Sequence, residues 1–263
     1  MIVTLSFEGP LFRLRPLWAF AAGLLASGGS LPLLHILLLL FLVEGVMPAW
    51  WHSLLTLSGP DFPPLPSTGK KFTFPYAVPG SLAWRTTEAL GKLAAWWEKD
   101  FWPERGKAFS SLLAFTFLAL SLSHRAGLWP VLALAGALGL AGVMCGRRGM
   151  SISIWRAFYS ITVPWLAGYT AVRIPGALPL LSAFLFGFAA WVLENGPEGW
   201  KSWPLLGSLG LLFLTFWFGG QHLLAGGLAC LMLSLPGAKG ERRHHLLLLA
   251  LLLNALALRQ SIR

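Results

Sequence analysis

Apolar residues lie in long blocks along this chain, and short polar or glycine- and proline-containing breaks separate the blocks. A helix rises 1.5 Å per residue, so about 20 apolar residues cross the roughly 30 Å hydrocarbon core of a bilayer. Nine blocks approach or exceed this length: 14–29, 32–57, 107–123, 127–146, 153–172, 176–194, 203–219, 220–236 and 244–260. The pattern predicts an all-α polytopic membrane protein with about nine transmembrane helices in a single transmembrane domain, 1–263.

One longer polar segment, residues 58–106, separates the second block from the third. Four prolines within 60–66 disfavour helix there and favour an extended path. Over Ser81–Trp102, apolar and charged residues recur near helical spacing. This spacing predicts an amphipathic helix at the membrane interface, within a cytoplasmic loop. A lid over a ligand cavity is the alternative role for the same helix.

The composition agrees with membrane insertion. Hydrophobic residues make up 56% of the chain and charged residues 11%, whereas soluble domains carry about 25% charged residues. These values exclude a soluble enzyme, a disordered chain and a nucleic-acid-binding domain, despite the net charge of +10. Both cysteines, Cys145 and Cys230, lie inside apolar blocks, which excludes a disulfide scaffold. The basic excess is expected to set topology and to contact anionic lipids.

The basic residues are distributed unevenly between the predicted loops. With the N-terminus in the cytoplasm, nine alternating spans place 16 of the 20 Lys and Arg on the cytoplasmic side and 4 on the other. This bias predicts a cytoplasmic N-terminus and a C-terminus on the opposite side of the membrane. Arg13 and Arg15 lead directly into the first block without a polar cleavage region, so we expect no cleavable signal peptide.

Four short sequence blocks follow one another in a characteristic order. They are RPLWAFAAGLLASG at 15–28, PPLPSTG at 63–69, VPWLAG at 163–168, and EG at 198–199 followed by SWPLLG at 202–207. In order and spacing they resemble chlorophyll and bacteriochlorophyll synthases, which belong to the UbiA-type intramembrane prenyltransferases. The resemblance implies nine helices around a central cavity that holds a tetrapyrrole and a long isoprenoid tail.

The catalytic residues of that family are not retained. Its enzymes ionise a prenyl diphosphate held by Mg²⁺, which needs oxygen ligands. Those ligands come from an Asn-Asp-x-x-Asp-type cluster after span two and a second acidic cluster after span six. In this chain the first cluster falls on Trp51, His52, Leu55 and Gly59, and none of them is a carboxylate. We therefore expect no Mg-diphosphate site at this position and no catalytic residues.

Two glutamates remain near the position of the second cluster. Glu194 and Glu198 form a weak candidate for a residual metal pair. Gly196 and Pro197 lie between them and break the helix, so the four-residue spacing does not guarantee a shared face. The alternative is a glutamate at the end of a span and another in the following loop.

Several side chains at membrane depth are candidates for binding a ligand. A neutral imidazole can ligate the central Mg of a chlorophyll, a buried carboxylate can hydrogen-bond a ligand, and an indole offers a flat apolar surface. The candidates are His52, Glu44, Trp51, Trp50, His35 and His222. His52 is favoured because it occupies a metal-aspartate position and should face the cavity, and Glu44 lies on roughly the same face. For each residue the alternative is ordinary packing, or an interfacial aromatic belt for the tryptophans.

The leading hypothesis is a non-catalytic relative of these synthases that binds (bacterio)chlorophyll, carotenoid or quinone. The resemblance implies a bacterial inner or photosynthetic membrane, where the predicted C-terminus would be periplasmic. Such a subunit would contact membrane lipids and other membrane subunits of a photosynthetic reaction-centre or antenna complex, and no nucleic acid. One alternative is an active prenyltransferase with an altered metal site. The other is a pigment or isoprenoid carrier, or an assembly factor, whose bound cofactor could also be a lipid.

Overall fold

The computed structural model describes residues 15–59, 64–69, 78–195, 202–218, 220–234 and 241–261. Within these ranges the secondary structure is entirely helical and forms nine continuous helical segments. They are α1 (Pro16–Ser27), α2 (Leu33–Leu57), α3 (Leu82–Ala126), α4 (Trp129–Arg147), α5 (153–170), α6 (Ala177–Asn195), α7 (Ser202–Phe218), α8 (His222–Ser234) and α9 (Glu241–Ser261).

The all-helical class predicted from the apolar blocks is confirmed for these residues. Four of the described helices, α2, α3, α4 and α6, are long and apolar enough to cross a membrane, judged by length and composition. The count of nine spans stays a prediction. One boundary was predicted incorrectly, because the polar helix and the third apolar block form one continuous 45-residue helix, α3.

Three of the described helices contain a proline in their interior. Each of them forms a π-helical turn just before that proline. The turns are Phe41–Val46 in α2, Trp97–Phe101 in α3 and Phe158–Thr162 in α5. Each turn ends two residues before a proline: Pro48, Pro103 or Pro164. A proline has no N–H, and its ring collides with the carbonyl four residues earlier in an α-helix. In the wider turn an N–H bonds to the carbonyl five residues earlier, as Met47 does to Leu42, and the helix continues through the proline. This explains why Pro103 does not separate α3 into two helices.

The chain forms two compact units, Met1–Pro48 with Phe117–Arg263, and Ala49–Thr116. In the first unit α1 packs against α5 and α9, and α6 also packs against α5 and α9. These four helices therefore form a closed ring.

Small residues allow the backbones of α1 and α5 to approach closely. A Cβ atom at Gly23 would overlap the Trp165 carbonyl, and one at Gly168 would overlap the Phe20 carbonyl. Just beyond the C-terminal ends of both helices, a Cβ atom at Gly29 would overlap the Val172 side chain, so α1 and α5 are parallel. Close backbone contact at small residues is the usual way in which membrane helices associate.

Side-chain hydrogen bonds fix the register of α5 and α6. The Trp191 indole N–H donates to the Ser153 hydroxyl at 3.1 Å, and the Thr162 hydroxyl donates to the Ala183 carbonyl at 3.0 Å. As residue numbers rise along α5 they fall along α6, so these two helices are antiparallel.

The second unit holds the N-terminal part of α3 against the end of α2. The Ser81 hydroxyl accepts the Trp84 N–H at 3.2 Å and caps the start of α3. The Arg105 guanidinium donates to the Leu57 carbonyl at 2.9 Å, which is one of the unpaired carbonyls at the end of α2. Thr87, Gly91 and Ala95 form the buried face of α3, and its apolar exposed face comprises Leu82, Leu90, Leu93 and Trp97.

Candidate functional site

Glu44 lies in the π turn of α2 and accepts a hydrogen bond from the Leu17 backbone N–H. Pro16 occupies the first turn of α1 and has no N–H, and Leu17 is one of the first-turn residues whose amides have no partner within the helix. The positive end of the helix dipole further favours a carboxylate there. This contact gives Glu44 the partner that a carboxylate needs in an apolar helix.

Tyr159 connects a second π turn to the same region of the first unit. Its hydroxyl donates to the Met47 carbonyl at 2.9 Å, and both residues are buried. Met47 directly follows the π turn that contains Glu44, and Tyr159 lies inside the π turn of α5. Sequence reasoning missed this contact. Its signal was present, since Pro48 and Pro164 mark the two turns.

His52 lies near the C-terminal end of α2, in the second unit, and its imidazole is exposed and accessible to a ligand. Its own carbonyl accepts a hydrogen bond from the Thr56 hydroxyl at 2.9 Å. The adjacent Trp51 is 7% exposed, so it contributes to packing. The Trp50 indole N–H donates to the Thr116 hydroxyl at 2.9 Å. The two tryptophans thus support the helix that carries His52.

The two other candidate histidines are on separate helices. His35 is exposed in the first turn of α2. His222 is exposed at the start of α8, and its ring lies edge-to-face with Trp217 at a centroid distance of 4.8 Å. Within the described ranges no group of three or more His, Cys, Asp or Glu side chains is placed to hold a metal ion.

The residues that the resemblance places at two metal positions do not fit a Mg-diphosphate site. At the first position Trp51 is buried and no side chain offers a carboxylate. At the second, Glu194 is exposed near the end of α6, and Glu198 lies outside the described residues. Since Mg²⁺ requires several hard oxygen ligands, no reaction step through this ion follows from these residues.

Comparison of the chain with protein-family models, with curated proteins and with solved structures gave no match in any of the three. The geometry instead offers two separate polar features. In the first unit Glu44 and Tyr159 bind the backbones of neighbouring helices. In the second unit His52 presents an exposed imidazole. Of the two, the imidazole is the group that remains open to an external ligand.

Proposed function

We propose that this chain is a non-catalytic, UbiA-like integral membrane subunit that binds (bacterio)chlorophyll, carotenoid or quinone. It spans the membrane nine times and associates with a photosynthetic reaction-centre or antenna complex. The observation that carries the proposal is that His52 is exposed. The resemblance to chlorophyll and bacteriochlorophyll synthases places it where those enzymes have a metal-binding aspartate.

Helix directions in the first unit support the nine-span topology. Alternating spans require the first and fifth helices to be parallel, and the fifth and sixth to be antiparallel. The α1–α5 contacts at Gly23 and Gly29 show that these two helices are parallel. The α5–α6 hydrogen bonds of Ser153 and Thr162 show that those two helices are antiparallel. The excess of Lys and Arg in the loops assigned to the cytoplasm is consistent with the same arrangement.

The topology is tested with reporter fusions to the full chain. A reporter after Arg263 should lie outside the cytoplasm, and one inserted near Gly91 should lie inside it. Both reporters on the same side of the membrane would exclude the nine-span topology and leave the binding proposal to be tested alone.

The chemistry of His52 favours a magnesium tetrapyrrole among the proposed ligands. A neutral imidazole nitrogen is a metal ligand, so His52 would hold the Mg of a bound chlorophyll-type pigment without help from carboxylates. Carotenoid or quinone would instead use the apolar and aromatic surfaces of the subunit.

The role of His52 is tested with the absorption spectrum of the protein purified from its native membrane, for the wild type and two variants. His52→Leu should reduce the pigment content or shift its long-wavelength band. His245→Leu removes another exposed histidine, at the start of α9, and should do neither. If both variants keep the wild-type pigment content and spectrum, His52 is not the ligand.

Catalytic competence is tested separately. With Mg²⁺, prenyl diphosphates and chlorophyllide-type acceptors, the purified protein should release no diphosphate above background. Metal-dependent release that Glu194→Gln abolishes would identify an active prenyltransferase and contradict the non-catalytic assignment.

A further inference from the structure

Three fully buried side chains in the first unit carry polar atoms that nothing in the described part of the chain satisfies. They are the Trp165 indole N–H on α5, the Ser182 hydroxyl on α6 and the amide nitrogen and oxygen of Asn254 on α9. Each of the three residues is 0% exposed. Roughly 90% or more of buried polar groups in folded proteins have a hydrogen-bond partner, which is either protein or water. Several orphaned atoms in one helix set therefore require an explanation.

These residues come from three of the four helices that form the closed ring of the first unit. In this ring α5 packs against α6, α6 against α9, α9 against α1, and α1 against α5. Asn254 lies in the middle of the buried stripe of α9, between Leu251 and Leu258. None of the three side chains is on a helix outside the ring.

Trp165 and Ser182 lie at nearly the same level of the ring. Thr162 bonds to the carbonyl of Ala183, and Ser182 directly precedes Ala183. Because α5 and α6 are antiparallel, Ser182 is level with the residue that follows Thr162 on α5. Trp165 is then less than one turn away along the helix axis.

Asn254 lies at this level too. A Cβ atom at Gly28, the residue directly after α1, would lie 3.6 Å from the Arg259 Cγ atom. Arg259 is two residues from the C-terminal end of α9, so the C-terminal ends of α1 and α9 lie together. Because the two helices pack along each other, they are parallel. Asn254 is five residues before Arg259, as Gly23 is five before Gly28. It is therefore level with Gly23, which contacts the Trp165 backbone.

The chemistry of the orphaned atoms identifies the class of ligand. The indole can only donate, the hydroxyl can donate and accept, and the amide offers both a donor and an acceptor. A single small molecule that donates and accepts can satisfy all of them, and buried water typically makes about three such bonds. A larger ligand would require an opening between side chains that are fully enclosed by their own chain.

We propose that Trp165, Ser182 and Asn254 form an internal hydration site that holds ordered water at the centre of the α1, α5, α6 and α9 ring. The bound water bridges α9 to α5 and α6, and so ties the last helix of the chain to two earlier ones. This proposal is independent of pigment binding and of the number of spans.

A double-mutant cycle on the full-length protein tests the shared water. Ser182→Ala and Asn254→Leu should each lower the melting temperature by several degrees. The double variant should lose distinctly less than the sum, because the first substitution already displaces the water that the second residue uses. In a control cycle, Ser182→Ala and Leu251→Ala should be additive, since Leu251 lies one turn from Asn254 but has no polar group.

Additive losses for Ser182→Ala and Asn254→Leu would overturn the proposal. A melting temperature raised by Asn254→Leu would also overturn it, because removal of an unsatisfied amide stabilises a core. If Asn254→Leu does not fold, the Trp165→Phe and Ser182→Ala cycle takes its place with the same expectation. An experimental map that resolves ordered water should show density about 3 Å from the Asn254 amide. Such a map with no water there contradicts the site.

Discussion

The ring of α1, α5, α6 and α9 and the unit Ala49–Thr116 are built on different principles. In the ring, backbones meet directly at Gly23 and Gly168, and its buried side chains include many alanines. In the other unit, the exposed face of α3 carries large apolar side chains: Leu82 is 82% exposed, and Leu90 and Leu93 are each 49% exposed. The first region is therefore held by close backbone contacts, whereas the second presents an apolar helix face that its own packing does not cover.

Aromatic rings and polar caps hold the second region. Trp97 stacks on Phe101 with a centroid distance of 4.7 Å and meets Phe109 edge-to-face at 5.3 Å. Arg105 and Ser81 satisfy helix ends through their side chains. Each of these side-chain contacts can be removed by a substitution while the others remain. A contact between two backbones, in contrast, leaves no room for an added side-chain atom. Substitutions in the ring should therefore cost more than substitutions in the other unit.

The largest effect is expected for Gly168→Ala. The new Cβ would overlap the Phe20 carbonyl and come close to the Leu24 nitrogen, and neither backbone atom can move without shifting α1. We expect a loss of about 3 kcal/mol or more in the free energy of unfolding. Gly136→Ala on α4 is the matched control, because its Cβ would meet no neighbouring atom. Thermal melts in the same detergent check both variants, and equal melting temperatures would exclude the backbone contact.

Glu44→Ala should have the next largest effect. It removes the hydrogen bond to the Leu17 amide and leaves that amide without its partner. An unsatisfied buried donor costs about 1–3 kcal/mol. Glu44→Gln keeps an acceptor oxygen and should lose less than half as much. If Gln and Ala lower the melting temperature equally, the bond to α1 does not contribute to stability.

Tyr159→Phe is expected to cost about 1 kcal/mol, because it deletes the single hydrogen bond to the Met47 carbonyl while the ring stays in place. Combining it with Glu44→Ala tests whether the two π turns act together. Non-additive losses are expected, since both bonds hold the same part of α2. Strict additivity in chemical denaturation would show that the two contacts are independent.

The smallest effect belongs to the second unit. Ser81→Ala removes the side-chain cap of α3 and should lower stability by about 1 kcal/mol at most. Ser121→Ala changes an exposed serine in the interior of the same helix and should lie within about 0.5 kcal/mol of the wild type. A larger loss for Ser81→Ala than for Gly168→Ala would reverse the comparison between the two regions.

Local patterns in the sequence predicted the helices but not the contacts between them. Each apolar block corresponds to a described helix because composition and breaks at glycine and proline are local properties. The sequence predicted an amphipathic helix over Ser81–Trp102 and a separate span at 107–123, yet both belong to the continuous helix α3, which passes Pro103 after the π turn Trp97–Phe101. Proline spacing alone does not indicate whether a helix breaks or widens, because the outcome depends on tertiary contacts.

For the polar residues, too, the sequence indicated some positions but not the contacts that they make. Glu44 was identifiable because a carboxylate in an apolar block is costly, but its partner Leu17 is a backbone amide, which no side-chain motif indicates. Tyr159 was missed because a tyrosine is common in apolar helices, and its hydrogen bond to the Met47 carbonyl depends on how α5 packs against α2. Asn254 is a polar residue in a leucine-rich helix, and only its burial gives it significance.

The proposed binding function is tested most directly by the organic extract of the protein purified in mild detergent from its native membrane. Chromatography with mass spectrometry should find a (bacterio)chlorophyll, carotenoid or quinone at a near-stoichiometric ratio to the chain, with the amount reduced in His52→Leu if the ligand is a magnesium tetrapyrrole. An extract that contains only membrane phospholipid would contradict the proposal.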